Sequence, residues 1–367
     1  MTNGNRQRNQ SPILKVIAAI IIIVCLATGI ITYDNIVQYL NSGGTNTESV
    51  QAPETLAGTL EVTMIDVGQG DSFLIQQDGH YALIDCGTRS AGKDVVSYLK
   101  EKGITNLEFV IGTHPHDDHM GGMETVLGEI ETSRVIIPKV NSSLVTANWY
   151  ISLRKELSKS KYEVIYPSYG DMFTLGDATL KVIGPIDYSG SNVNNYSIVI
   201  KLTYGTQGII FTGDAESEIE KQVLDSGEVV DAEVLKVGHH GSDTSNTEAW
   251  IDAISPEYAL ISCKEGNKYN HPIKSTMERL RIRNIIVYRT DESGTVIMTI
   301  TQESISFDKS PGDYLSGEEL EERSSKWFAI FLFVVNQKTD LSLLNLNSVL
   351  HLSPVKLTLV IKKQLWF

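Results

Sequence analysis

Cysteine is scarce in this chain. Cys25, Cys86 and Cys263 include no Cys-x-x-Cys pair and are too few for a disulfide framework. Positive charge is short as well: 31 Lys and Arg against 45 Asp and Glu leave a net −14. That balance excludes a nucleic-acid binder that relies on bulk positive charge. It does not exclude a local phosphate site in which bound metals supply the charge. Apolar residues are not short. With 41% apolar and 21% charged residues the chain cannot be wholly disordered. Its 367 residues make one large domain with appendages, or two ordinary domains. No internal repeat emerges by residue matching.

Long uncharged runs are also rare, and one stands near the start. Residues 1–15 carry Arg6, Arg8 and Lys15 and no acid, and residues 16–33 (VIAAIIIIVCLATGIITY) carry no charge at all. As a helix that run spans about 27 Å, close to the hydrocarbon thickness of a bilayer. Basic residues before it and Asp34 after it predict a single-pass anchor with residues 1–15 in the cytoplasm and the rest outside. A cleaved signal peptide is the alternative, with Ala27-Thr28-Gly29 as the small-residue cleavage site and a secreted product. Residues 34–58 follow as a flexible linker, its 41–58 portion rich in Gly, Ser, Thr and Pro. At the other end, residues 309–367 read as linker and tail. The apolar stretch 327–335 is too short to cross a bilayer as a helix. The tail is either a small membrane-associated unit or sequence outside the fold.

Between the ends, residues 59–308 alternate strand-like and helix-like stretches. Leu60-Glu61-Val62-Thr63-Met64 has period two, and Asp78-Gly79 marks a hairpin turn between the next two strands. Helical spacing recurs at 91–102, 123–130, 149–158, 215–224, 247–254 and 272–283, with strands between and two more at 295–308. Hairpins followed by strand–helix alternation predict a layered α/β or α+β domain of about 250 residues.

Chemistry concentrates in the histidines. Of eight, three fall within six residues of Thr113-His114-Pro115-His116-Asp117-Asp118-His119-Met120-Gly121-Gly122. This decapeptide follows a buried-strand pattern and reads as a strand-end loop that aims i, i+2, i+4 and i+5 at one point. Imidazole and carboxylate are ligands for zinc or a similar ion, so His114 with His116 can share one ion, and Asp118 with His119 an adjacent one. Asp214 ends another strand in Thr212-Gly213-Asp214, where a bridging ligand would be useful. His239 and His240 follow a third strand in Gly238-His239-His240-Gly241-Ser242, and at least one should face the site. His271 stands before Pro272 at a helix mouth, while His80 and His351 read as background.

The decapeptide resembles the His-x-His-x-Asp-His motif of the metallo-β-lactamase fold. The segments IDVGQGD (65–71), LIDCG (83–87), TGD (212–214), VGHHGS (237–242) and NHP (270–272) narrow the resemblance to the ComEC/Rec2-type branch, the hydrolase domain of a bacterial DNA-uptake channel. It covers about residues 59–308. The channel itself has many membrane spans, so the chain resembles a stand-alone, membrane-tethered relative. The resemblance implies an α+β four-layer αβ/βα sandwich after the N-terminal helix, with metals at one edge of two sheets. It implies that His114 and His116 hold one metal, Asp118 and His119 the other, that Asp214 bridges them, and that His271 is the last ligand. Asp85 and Asp71 would stand behind the ligands and orient them. Many members place a further metal histidine between the first motif and the Gly-Asp strand. This chain has no histidine between Met120 and Gly238, and Asn194 and Asn195 are the polar candidates there.

The cofactor expectation is two divalent ions, zinc first and manganese second. The reaction implied is hydrolysis by a metal-activated water, with Asp118 accepting its proton and His240 or His239 stabilising charge or protonating the leaving group. The favoured activity is a membrane-tethered extracellular phosphodiesterase or nuclease acting on DNA. Lys236, Lys264 and Lys268 near the motifs partly offset the acidic balance. A phosphoesterase acting on a cell-envelope polymer is the alternative, since Asp-Val-Gly-Gln-Gly-Asp also resembles phosphorylcholine esterases. A non-catalytic module with a structural metal comes third, disfavoured because more than four ligand groups are on offer.

Overall fold

The computed structural model of the chain describes residues 58–323 and residue 325. The expected span at 16–33 lies outside the described residues. Among those described, no helix is long and apolar enough to cross a membrane.

The described residues build two mixed sheets. The first runs β15 (Ile305–Phe307), β14 (Val296–Ile300), β1 (Leu60–Met64), β2 (Phe73–Gln77), β3 (His80–Ile84), β4 (Asn106–Ile111), β5 (Glu131–Ile136), β6 (Glu163–Ile165). The second runs β13 (Ile286–Arg289), β12 (Tyr258–Ile261), β11 (Val234–Lys236), β10 (Gln207–Phe211), β9 (Val199–Tyr204), β8 (Ala178–Gly184), β7 (Met172–Leu175). Each sheet has an antiparallel part and a parallel part made of crossovers: β3 to β6 in the first, β10 to β13 in the second.

Alternation along the strands explains the layering. Leu60, Val62, Met64, Phe73, Ile75, Ala82 and Ile84 from the first sheet meet Leu180, Val182, Ile209 and Phe211 from the second in one core between the sheets. The residues between them, such as Leu74 and Leu83, point outward under α1 (Gly92–Glu101), α3 (Met123–Glu129) and α4 (Asn148–Leu157). On the far side, Ile210, Leu235 and Ala259 lie under α5 (Ser217–Asp225), α6 (Glu248–Ile254) and α7 (Lys274–Ile282). Strands that are apolar on both faces require such cover on each side, which gives the αβ/βα sandwich. Phe73 and Phe211 meet edge to face across the sheets at 5.3 Å, and each fully buried ring contributes about 1.5–3 kcal/mol.

Most expected elements are present within a residue or two. The short edge strands β6 and β7 were not anticipated, being three and four residues long and partly exposed. Asp118 and His119 do not sit in a simple loop: Asp117–Met120 forms a single helical turn, α2, with His116 in extended conformation at its start. The boundary at 308 also moves. Residues 309–323, expected as linker, lie against the second sheet. Gly312 N–H donates to Val287 O (2.8 Å) and Tyr314 Oη–H to Ile285 O (2.8 Å). Wholly buried Arg289 grips Asp291 (2.7 Å) and donates to the carbonyl of Leu315. A helical turn after Ser316 then places Leu320 in the interior. Attachment by backbone bonds and ion pairs leaves little apolar periodicity in the sequence to reveal it.

Candidate metal centre

Parallel strands in one sheet point the same way, so their C-terminal ends share an edge, where ligands bind in α/β sheets. Here both sheets open onto the site. From the first sheet, β3 delivers Asp85, β4 delivers Thr113 to His116 and then α2, and the β1–β2 loop delivers Asp71. From the second, β10 delivers Asp214, β11 delivers His239 and His240, and β12 leads to the loop bearing His271.

Close backbone approach locks these loops together. A Cβ on Gly70, whose φ is +140°, would lie 2.2 Å from the carbonyl oxygen of Asp118, and the Asp71 N–H donates to that same oxygen at 3.0 Å. Ser262 Oγ–H donates to Gly70 O (2.6 Å), joining the second sheet to the first-sheet loop. Three site residues, Asp85, His239 and His240, hold left-handed φ values of 60°, 52° and 53°. Such a conformation costs a non-glycine residue on the order of 1–3 kcal/mol. The surrounding bonds hold both imidazoles of the Gly238–Gly241 turn in place.

The side chains fall into two groups sharing Asp214: His114, His116 and Asp214 in one, Asp71, His119, Asp214 and His240 in the other. Asp214 Oδ2 is 3.7 Å from His114 Nε2 and 3.6 Å from His239 Nε2, while Oδ1 is 3.1 Å from His119 Nε2 and 3.7 Å from His240 Nε2. His114 Nε2 and His116 Nδ1 lie 3.0 Å apart, and His119 Nε2 and His240 Nε2 lie 3.3 Å apart. Asp118 Oδ2 reaches within 3.5 Å of His240 Nε2.

The donor chemistry shows what this cluster needs. His240 Nδ1 lies 2.9 Å from the carbonyl of Ser262, which can only accept, so Nδ1 carries the proton. His119 Nδ1 likewise meets the Asp85 carboxylate at 2.8 Å. Both Nε2 atoms therefore turn to each other and to the carboxylates of Asp118 and Asp214, so a proton or a metal ion must lie among them. Asp214 Oδ1 is buried without a hydrogen-bond donor. An imidazole–carboxylate set of this kind fits divalent metal ions, and the fit rests on these atoms.

The two groups differ electrostatically. Burial, aided by the nearby His119, pushes His114 well below the ordinary imidazole range, and burial also lowers His116. Burial opposes charge on His119 too, but Asp214 and Asp85 outweigh it and hold the value well up. His240 follows the same logic and is pushed up to about 10, Asp214 and Asp71 outweighing burial. Asp118 is held well below the carboxylate range: burial opposes this, and the hydrogen bond from His240 with the His119 charge prevails.

Several expectations need correction. His271, expected as the last ligand, stands outside both groups; its ring is 5.5 Å from that of His239 and 6.4 Å from that of His240. Stacking on Tyr269 and backbone bonds to Asn267 hold it there, while His240 stands in the second group. His239 is partly exposed, with Nδ1 3.1 Å from Thr244 Oγ1. Asn195 offers no lone pair to the site: its amide donates to Glu218 (3.0 Å) and its oxygen accepts from Glu216 N–H (3.0 Å). Asn194 is likewise tied through its amide to Glu216 at 2.9 Å.

Lys236, expected to offset substrate charge, is fully buried and pairs with Asp71 at 2.9 Å. Asp71 lies between it and His240 Nδ1 (3.3 Å). Asp85 is where it was expected, accepting from Thr113 N–H (2.8 Å) and Oγ1–H (2.7 Å) while orienting His119. Sequence reasoning missed the ion-pair role of Lys236, although a lysine ending an otherwise apolar strand was a readable signal.

The chain belongs to the metallo-β-lactamase superfamily, whose family model matches residues 65–264. Within it the chain is of the ComEC/Rec2 type, as three relatives indicate. ComE operon protein 3 of Bacillus subtilis is 33% identical over 64% of this chain and 32% of its own length. Competence protein ComA of Neisseria gonorrhoeae is 27% identical over 64% and 31%. Recombination protein 2 of Haemophilus influenzae is 29% identical over 74% and 31%. The chain thus spans about a third of the length of each of these relatives. Fold and site are those of a metal-dependent hydrolase.

Proposed function

We propose that the chain is a metal-dependent phosphodiesterase that cuts DNA, held at the outer face of a membrane by the apolar segment at 16–33. The observation that carries this reading is the pair of ligand groups sharing Asp214, one oxygen of its carboxylate turned to each. His114 and His116 would hold one ion, and Asp118, His119 and His240 the other. Bound there, divalent ions would acidify water and neutralise charge growing on a phosphoryl oxygen.

The chain's own residues supply the rest. Asp118, kept ionised, is the group to orient water and accept a proton. His239, partly exposed, is placed to meet a substrate oxygen. Asp85 fixes the His119 ring, and Asp71 with Lys236 backs His240. The relatives' names, a competence protein and a recombination protein among them, support DNA as the polymer.

A phosphoesterase acting on a cell-envelope polymer is the second reading. Burial of Lys236 favours it, because one cation fewer is left to meet a nucleic-acid backbone. The full chain, loaded with zinc or manganese, should be given fluorescent single-stranded DNA and a chromogenic phosphodiester, with Asp118→Asn as control. Asp118-dependent cleavage of DNA is the expected result. Turnover of the chromogen with intact DNA would move the activity to an envelope polymer, and turnover of neither would remove the hydrolase reading.

A further inference from the structure

Beside the centre, the loop between β12 and α7 is built around one buried amide. Asn267 Nδ2–H donates to the carbonyls of Lys264 (2.8 Å) and His271 (2.6 Å), and its Oδ1 accepts from the N–H groups of Tyr269 (3.1 Å) and His271 (3.0 Å). This clamp leaves Tyr269 standing out, 49% exposed. Its ring stacks on His271 with centroids 5.5 Å apart and planes at 25°, and Lys268 Nζ lies 4.7 Å from the ring centre. His271 in turn meets the His239 ring at 5.5 Å, and His239 Nε2 is 3.6 Å from Asp214. A line of rings therefore runs from the shared carboxylate to the surface. His271 Nδ1 is buried on that line with no hydrogen-bond partner.

Tyr269 is half-exposed on a preformed loop, with the Lys268 ammonium over its ring and Lys264 five residues earlier in the same loop. Lys264 and Lys268 are both exposed, with Glu265 between them in the chain. The backbone of Lys264 rests on Gln69 of the first-sheet loop, so the platform adjoins the rim of the centre. Aromatic faces flanked by lysines are how proteins hold single-stranded nucleic acid without reading its sequence.

We propose that the Lys264–His271 loop is a substrate platform on which Tyr269 stacks a nucleobase next to the scissile phosphodiester, while Lys264 and Lys268 meet the adjoining phosphates. The proposal rests on the nuclease reading and adds to it the class of strand held, an unpaired one with accessible bases.

The test is fluorescence anisotropy with the metal-loaded full chain and two nuclease-resistant phosphorothioate oligonucleotides of equal length, one of thymidines and one abasic. Tyr269→Leu should weaken thymidine binding roughly 5- to 100-fold and leave abasic binding nearly unchanged, while Tyr269→Phe keeps both. Lys264→Gln and Lys268→Gln should each lower the slope of log Kd against log salt by about 0.7. Equal loss on both strands, or no loss on thymidine, would overturn the platform while the nuclease reading stands. Failure of the unaltered chain to bind either strand would remove that reading, and the platform with it.

Discussion

The His114–His116 half of the centre and the His119–His240 half share Asp214 but ask different things of a cation. In the first, burial keeps both imidazoles neutral, so their lone pairs are available, but only three ligand groups converge among the described residues. In the second, more groups converge, and the carboxylates around them hold protons on His119 and His240 when no metal is bound. A metal entering the first half needs only to shed water. One entering the second must also displace protons. The halves should therefore differ both in affinity and in how that affinity responds to pH.

The largest test of the second half lies behind it. Lys236→Met removes the ammonium partner of Asp71 and leaves that buried carboxylate to His240 alone, a loss of about 3–5 kcal/mol of stability in chemical denaturation. Adding Asp71→Leu to that variant should recover most of the loss, because a pair replaced by apolar groups leaves no charge stranded. A destabilisation that persists in the double variant would mean the pair contributes shape rather than charge.

Acidity is the next lever. His240 is raised from 6.5 to about 10, so its proton stabilises the metal-free fold fully below about 6.5 and that contribution fades as pH climbs towards 10. Metal competes for the same nitrogen, so second-half affinity should rise by up to about tenfold per pH unit for each proton displaced, roughly a hundredfold or more from pH 6.5 to 8.5. The first half should respond little over that range. Isothermal titration in two buffers of different ionisation enthalpy reads the protons released, and equal slopes for both halves would break the contrast. Smaller still is Asp85→Asn, which loosens the His119 ring. It should cost the second half about 10- to 100-fold in metal affinity and leave the first half nearly unchanged.

The same contrast governs what could be read from the sequence. His114, His116, Asp118 and His119 were legible because one strand end supplies them within six residues, a spacing chance seldom gives. Asp214 was legible only by its place at a strand end. The choice between His239 and His240 was not, since a turn with both residues at positive φ decides which imidazole turns inward. The place of His271 was not legible for a related reason: only the fold reveals that Asn267 and Tyr269 hold it one ring away from the two groups. The sandwich itself followed from apolar strands alternating with amphipathic helices. The short edge strands and residues 309–323 did not, because polar backbone bonds and ion pairs hold them in place.

We propose that one carboxylate joins two metal half-sites. It is tested most directly by counting metal per chain, by elemental mass spectrometry, in the unaltered protein and in Asp214→Asn. Close to two ions are expected in the first, and in the variant a fall in both half-sites to well under one ion in total. Retention of one tightly held ion in the variant, or only one in the unaltered chain at saturating metal, would contradict it.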